Sequence, residues 1–339
     1  MRARGLSALG LAAAMTLAAC SSGGTKDSGS PASTTAPASA KAAGAGGAAG
    51  GSFSFGVIGD YPYTADQVPQ FDRLVDAINV EAPSFVLHVG DVGAQPCTDA
   101  ALATSLAAIN RLNMPVIYTP GDNEWTDCHQ SGNDPIQRLA RVRQMFFPTD
   151  QSLGKKTLTV TRQSADYPEN SRFDFGGLTF VALHEVGSNN GTGRTPEADA
   201  EAAARQTAVI AWIKAGFAAA TSAGSKGIVL FFQADPNFDL YRLGVHNAHT
   251  EFLRALERES IAFKGPVLLV HGDTHVFHVD KALVSSTDHG VIENVTRLEN
   301  FGSPDVEWTH VSVNPSAPEL FSFSPAIVAG NAPAHAPPP

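Results

Sequence analysis

Between residues 53 and 147, short β-rich runs alternate with stretches of helical period, and this alternation restricts the possible folds more than any other feature of the chain. Residues 53–58 read as a strand, and 66–80 as a helix with Phe71, Leu74, Val75 and Ile78 at i, i+3, i+4 and i+7. A strand at 85–89, a helix at about 99–112, a strand at 116–119 and a helix near 135–147 follow. Such β-α alternation requires a mostly parallel sheet covered by helices. The middle differs: 157–162, 172–175 and 178–184 read as neighbouring strands, with a Gly176-Gly177 turn between the last two. An Ala-rich helix at about 196–220, a buried strand at 227–232, a helix at 246–261 with Phe252, Leu253 and Leu256 inward, and a buried strand at 267–270 come next. The remainder (276–279, 293–298, 306–313 and 320–323) reads as strands only. An α/β chain with two sheets packed face to face and helices outside accommodates all of this.

The ends carry a different message. Arg2 and Arg4, an apolar stretch from Leu6 to Ala19, and Cys20 followed by small polar residues have the layout of a secretory signal. The stretch is too short to span a bilayer, which takes roughly 20 apolar residues. Leu17-Ala18-Ala19-Cys20 matches a bacterial lipobox, which makes 1–20 the expected signal and Cys20 the expected lipid anchor. An ordinary signal peptide cut near Ala19 is the plainer alternative. Residues 21–51 are almost entirely Ser, Gly, Ala, Thr and Pro and read as a disordered tether, as does the Pro/Ala-rich tail 329–339. One domain over 52–328 remains. The expected location is the cell envelope, on the periplasmic face, and the outer membrane if the host has one, because Ser21 carries no Asp-type retention signal.

A charge of -10, from 23 Lys+Arg against 33 Asp+Glu, argues against a nucleic-acid surface. The membrane is then a partner only through the lipid, and the chain is taken as a monomer acting on a small substrate. After Cys20 only Cys97 and Cys128 remain, an even pair that favours a disulfide in an oxidising compartment.

Gly-Asp occurs four times, at 59–60, 90–91, 121–122 and 272–273, each time directly after a predicted core strand. With 31 glycines and 20 aspartates in 339 residues, chance gives about two such pairs, with no preference for strand ends. Gly-Asp is also ordinary turn chemistry, Gly for φ > 0 and Asp for local hydrogen bonds. In open α/β sheets, however, ligands bind beyond the carboxyl ends of the strands, where these turns would gather four carboxylates. Converging carboxylates repel, and a cation is the usual remedy. With Glu124, His271 and His275 adjacent, the cluster is a candidate metal site.

The order of these turns resembles the calcineurin-like metallophosphoesterases, whose pattern is D-x-H, G-D, G-N-H-[DE], a late histidine and G-H-x-H. The resemblance covers most of residues 53–280 and implies a four-layer α/β/β/α sandwich of two mixed sheets. Asp60 matches the first Asp, and Asp91 the central Asp that bridges two metals in the family. Gly121-Asp122-Asn123-Glu124 fills the G-N-H-[DE] slot and Gly272-Asp273-Thr274-His275 the G-H-x-H slot. The departures all remove nitrogen or add oxygen: Pro62 for the first histidine, Asp122 for the metal-binding Asn, Asn123 for the catalytic His, Asp273 for the first His of the last motif, and Gln233-Ala234-Asp235-Pro236 where a late His precedes Pro. The implied ligand set is Asp60, Asp91, Asp122, Asp273 and His275, with Gln233 or Asp235. Such a set favours one or two hard cations, Mg²⁺, Mn²⁺ or Ca²⁺, over Zn²⁺.

The resemblance implies an exported phosphoester hydrolase whose metals activate water and clamp the phosphoryl oxygens. Asn123 donates a hydrogen bond but does not titrate, so another group must act as leaving-group acid. The candidates are His184 first, then His129 and His271. Each also reads plainly, His129 as a solvated loop residue, His184 as strand-end packing and His271 as a supporting or core group. Asn189 and Asn190, after His184, carry amides that could hold phosphate oxygens. His88 reads as a core histidine, and Trp125 as either cleft wall or packing. Two alternatives stand beside the phosphoesterase: a binding lipoprotein that keeps the fold without turnover, and a hydrolase of another substrate class.

Overall fold

The computed structural model describes residues 51–93 and 97–331. The signal 1–20 with Cys20, the tether up to residue 50 and the tail beyond 331 lie outside the described residues. Elements run in the order β1 (Phe53–Ile58), α1 (Val68–Glu81), β2 (Val86–His88), α2 (Asp99–Ile109), β3 (Val116–Tyr118) and α3 (Pro135–Phe146). Then come β4 (Thr161–Arg162), β5 (Ser171–Phe175), β6 (Leu178–Ala182), α4 (Pro196–Ala223), β7 (Ile228–Phe231), α5 (Phe238–Arg242) and α6 (Thr250–Phe263). Five strands complete the chain: β8 (Val267–His271), β9 (His278–Asp280), β10 (Val295–Glu299), β11 (Trp308–Val313) and β12 (Phe321–Ala326).

The strands form two mixed sheets, ordered β12-β11-β1-β2-β3 and β4-β5-β6-β7-β8-β10-β9. In the first sheet β1, β2 and β3 run parallel up to one edge, with β11 and β12 antiparallel on the other side; in the second, β6, β7, β8 and β10 run parallel at the centre and the flanking strands are antiparallel. Alternation along each strand decides the layers. Val57, Leu87, Ile117, Phe180, Phe231 and Val270 meet between the sheets. Ile58, Val86, Val116 and Tyr118 face the other way, packing with Phe71 and Leu74 of α1 and Val142 and Phe146 of α3. On the second sheet Val181, Leu230 and Leu269 pack with Val209 and Ile213 of α4 and Phe252 and Leu256 of α6. The result is the four-layer α/β/β/α sandwich, in which each fully buried aliphatic or aromatic side chain contributes about 1.5–3 kcal/mol.

Where the structure differs from sequence expectation, a local hydrogen bond explains it. Of the strand expected at 157–162, only Thr161–Arg162 joins a sheet. Residues 151–159 instead pair with themselves, through the Gln151–Thr159 bridge, and with β3, through Leu153–Val116. The helix expected from 246 starts at Thr250, whose hydroxyl accepts the Asn247 N–H (2.9 Å) and closes a turn there. The short helix α5 was not anticipated; Asn237 caps it by accepting the Leu240 N–H (3.1 Å). The tail expectation also needs correction at its start. Asn331 is buried, accepting from Arg73 Nε (2.8 Å) and donating to the Val306 and Gln70 carbonyls, so the packed chain extends past 329.

Candidate metal centre

Each Gly-Asp turn lies just beyond a parallel strand, β1, β2, β3 or β8, so the four aspartates gather at one end of the sandwich. The aspartates, more than the glycines, take the unusual backbone: Asp60, Asp91 and Asp273 have φ of 61°, 56° and 80°, a region Asp tolerates better than most residues. Of the four glycines only Gly90 has positive φ. The others are needed for space. A Cβ on Gly121 would lie 1.9 Å from Asp91 Oδ1, and one on Gly272 would lie 1.9 Å from Asp60 Oδ2. The glycine of one turn thus clears room for the carboxylate of another, a coupling that the dipeptide alone does not reveal.

The carboxylates are buried and held by named donors. Asp60 Oδ1 accepts the Asp273 N–H (3.0 Å), while Asp60 Oδ2 is buried without a partner. Asp91 accepts from the Asn123 N–H (3.1 Å) and from the Tyr63 hydroxyl (2.8 Å). Asp273 accepts from Gln233 Nε2 (3.1 Å) and the Asp235 N–H (2.8 Å). Glu124 Oε1 takes the Val92 N–H (3.0 Å) and the Tyr118 hydroxyl (2.8 Å), leaving Oε2 buried and unpartnered. His275 holds the Ser303 carbonyl through Nδ1 (2.7 Å), which turns Nε2 toward Asp60 Oδ1 at 3.7 Å. Gly187 fits between Asp122 and Asp273; a Cβ there would stand 2.8 and 2.5 Å from their oxygens.

Burial pushes Asp60 and Asp91 well above the ordinary carboxylate range, and the neighbouring acids add to the rise. Burial also raises Asp122, reinforced by the charge of Asp127, and raises Glu124. Asp273 is pushed up to about 7 by burial and by Asp122. Among the described residues no Lys or Arg pairs with any of these five acids; Arg194 pairs instead with Asp127, beside the Asp122 turn. The cluster therefore lacks positive charge.

That deficit decides whether the residues fit a divalent cation. All the donors are oxygens apart from His275, and Asp60 Oδ2 and Glu124 Oε2 have no protein partner. The engaged oxygens of Asp60, Asp91 and Asp273 each accept one of these bonds and keep a second lone pair, whereas Glu124 Oε1 uses both. Among the described residues no group of three or more His, Cys, Asp or Glu side chains is placed to hold a metal ion as the side chains stand. The donors thus match a hard cation in charge and chemistry but not in present spacing.

A family model for calcineurin-like phosphoesterases matches residues 53–277. The chain belongs to the calcineurin-like phosphoesterase family. Among solved structures, PhoD superposes with a TM-score of 0.51 at 12% identity, covering 83% of this chain and 70% of PhoD. GAP50, the anchor in the inner membrane complex of Plasmodium, gives 0.45 at 10% identity over 82% of this chain and 89% of that one. TT1561 of Thermus thermophilus gives 0.44 at 9%, over 80% and 98%. At 12% identity the PhoD likeness is one of fold alone. No curated protein matches the sequence. The family generally binds divalent metals.

Within this phosphoesterase frame, several expected residues sit elsewhere than the crevice. His184 is wholly buried, its Nδ1 on Glu169 (2.9 Å) and its ring 5.6 Å from Trp125, so it has no surface to offer a leaving group. Asn190 is buried too, its amide donating to Glu185 (3.1 Å) and its carbonyl oxygens held by Arg205. The exposed Asn189 donates to Thr192 (2.7 Å). His129 is exposed on the short helix Thr126–Ser131, its Nδ1 on the Thr126 carbonyl (2.9 Å). His271 is buried, stacked on Phe232 at 5.7 Å, and His88 is a core group that burial holds at about 3. Asn123 remains at the site through its backbone contact with Asp91.

Cys97 and Cys128 form a disulfide, with Cα atoms 5.5 Å apart, that ties the segment after Asp91 to the helix after Asp122. Closing a 31-residue separation is worth about 3–4 kcal/mol in the chain-entropy account.

Sequence reasoning missed Tyr63, Asp127, Ser188, Arg194 and Glu299. Glu299 on β10 accepts from the Thr274 hydroxyl and the Val276 N–H, bracing the loop that carries Asp273 and His275. Tyr63, next to Pro62, is the one that local sequence could have flagged, as a hydroxyl beside the first Gly-Asp turn. Ser188, Asn189 and Asn190 all have left-handed φ, of 50°, 54° and 55°, and Gly191 follows at 74°. Asn189 and Asn190 tolerate this region, so the strain falls on Ser188, at roughly 1–2 kcal/mol, and the braces from Arg205 and Gln233 hold the turn in place.

Proposed function

We propose that this chain is an exported, lipid-anchored, divalent-metal-dependent phosphoester hydrolase. The observation that carries the reading is the convergence of Asp60, Asp91, Asp122 and Asp273 in one buried place that lacks a compensating cation, with Asp60 Oδ2 unpartnered. Those four aspartates, with His275, would hold the metal. A bound divalent ion supplies Lewis-acid polarisation of a phosphoryl oxygen and lowers the pKa of water. The chain's own groups set the frame. Burial pushes the Tyr63 phenol up, so it stays a donor and fixes Asp91. Gln233 spans Asp273 and the Gly187 N–H (2.6 Å), setting the width of the crevice.

With His184 buried and Asn123 unable to titrate, the chain favours substrates whose leaving group departs without a proton. The expected result is metal-dependent turnover of p-nitrophenyl phosphate by the full chain, at least about tenfold faster than of an alkyl phosphate. Equal rates would show that a leaving-group acid is present.

A second reading is a binding protein on the same fold. It is favoured by the protein donors already seated on Asp91 and Asp273. No turnover of any phosphoester with Mg²⁺, Mn²⁺, Ca²⁺ or Zn²⁺ would select it.

Export and anchoring rest on Arg2, Arg4, the apolar stretch and Cys20. Among the described residues no helix is long and apolar enough to cross a membrane. Labelled palmitate is expected to enter the full chain and to be lost in Cys20→Ser; label retained in that variant would refute acylation at Cys20.

A further inference from the structure

A phosphate ester is itself an anion, and the crevice it must enter is lined by acids. Among the described residues, Arg194 is the only Lys or Arg ion-paired with an acid of this network, through Nη2 to Asp127 Oδ1 (2.9 Å). Its Nη1 donates to the Thr126 carbonyl (2.9 Å). Those two contacts engage two of the five N–H donors of a guanidinium, whose planar fork matches phosphate oxygens.

The placement of Arg194 follows from its neighbours. The Asp127 N–H donates to the Asp122 carbonyl (3.0 Å), so Arg194 and Asp122 share one residue as a common partner. Asp127 Oδ1 also accepts the Ser188 hydroxyl (2.8 Å), and Ser188 directly follows Gly187, which is wedged between Asp122 and Asp273. The left-handed turn from Ser188 to Gly191 is fixed from behind. Arg205, fully buried on α4 and 5.1 Å over the Trp125 ring, holds the Asn190 carbonyl (2.9 Å) and the His184 carbonyl (3.2 Å). A strained turn braced this firmly persists because its surroundings over-determine it, and such turns cluster at ligand sites.

We propose that Arg194 is the substrate-binding guanidinium of this site, pairing with the non-bridging oxygens of a phosphomonoester or of free phosphate, with the Ser188 hydroxyl beside it. The inference rests on the phosphoesterase reading and adds its substrate class: a terminal phosphate, whose two charges suit a fork-shaped cation, in preference to a diester.

The test is calorimetric titration of inorganic phosphate into the full chain, with and without Mg²⁺, for wild type, Arg194→Met and Asp127→Asn. Wild type is expected to bind, and Arg194→Met to weaken binding by at least about tenfold. Asp127→Asn frees the guanidinium and removes a repelling charge, so it should bind as tightly or more tightly. Three results would overturn the proposal: unchanged affinity in Arg194→Met, equal losses in both variants, which would make the arginine a mere pin for Asp127, or no phosphate binding by wild type. Turnover of p-nitrophenyl phosphate by wild type is scored separately. Turnover together with Arg194-independent phosphate binding sinks this inference alone, whereas Arg194-dependent binding without turnover sinks the hydrolase reading alone.

Discussion

Asp91→Asn is expected to lower metal-dependent phosphoester hydrolysis by the full chain by at least about 1,000-fold and to remove tightly held divalent metal. Asp91 is the central acid of the cluster: its proton affinity is raised by burial and then by Asp122, Glu124, Asp60 and Asp273. An amide in its place can still accept the Asn123 N–H but supplies no charge to a cation, and charge is what the remaining neutral and acidic donors share. The same substitution should stabilise the metal-free protein at pH 8. An acid whose folded pKa is raised above its unfolded value costs stability as pH climbs from the unfolded pKa toward the folded one, and asparagine carries no such cost. Elemental analysis, turnover and a melting curve with and without chelator check all three. A variant that retains stoichiometric metal would remove Asp91 from the ligand set, and a metal-free variant that melts lower than wild type at pH 8 would contradict the repulsion account.

Glu169→Gln is expected to cost roughly 3–5 kcal/mol at pH 7, the range for breaking a buried ion pair from one side. Glu169 is fully buried, takes two bonds from Arg143 Nε (3.1 and 3.0 Å) and one from His184 Nδ1 (2.9 Å). Burial pushes its pKa up, but the His184 hydrogen bond and the Arg143 charge outweigh that and hold it at about 2. A folded pKa below the unfolded one gives stability that is present in full above about pH 4.5 and disappears as pH falls from there to about 2. Wild type should therefore lose stability over that window, and the variant should lack that part of the decline. Urea midpoints at pH 7 and pH 3 measure it; coincident midpoints at pH 7 would show that the pair contributes nothing. Because His184 packs on Trp125, which follows Glu124 in the Asp122 turn, the variant should also loosen the crevice.

His184 shows why part of the site was not legible. A histidine at a strand end beside an Asn-rich loop has the local marks of a catalytic acid. Its buried partner, Glu169, sits on the connection before β5, and the arginine that fixes Glu169 comes from α3. Nothing near residue 184 in the chain announces either. Asn190 failed for the same reason, since the Arg205 that occupies it lies on the far side of a loop. Arg194 was passed over because a lone arginine in a Gly-Thr loop has no period or motif to mark it. Its meaning comes from Asp127, 67 positions away.

What the sequence determined by itself is most of the elements and the end of the sheet where the four aspartates gather. Strand and helix periods act over a few residues, and a Gly-Asp turn after each core strand is local backbone chemistry, so β1, β2, β3 and β8 and their aspartates could be read directly. The tertiary structure decided which groups touch. Gly121 makes room for Asp91, Gly272 for Asp60, and Gly187 for both Asp122 and Asp273, across separations of 30 to more than 200 residues. Such close approaches, and the burial that raises the proton affinity of these acids, exist only once the sheets have stacked, because they depend on excluding water and aligning distant loops, and no short stretch of sequence encodes either.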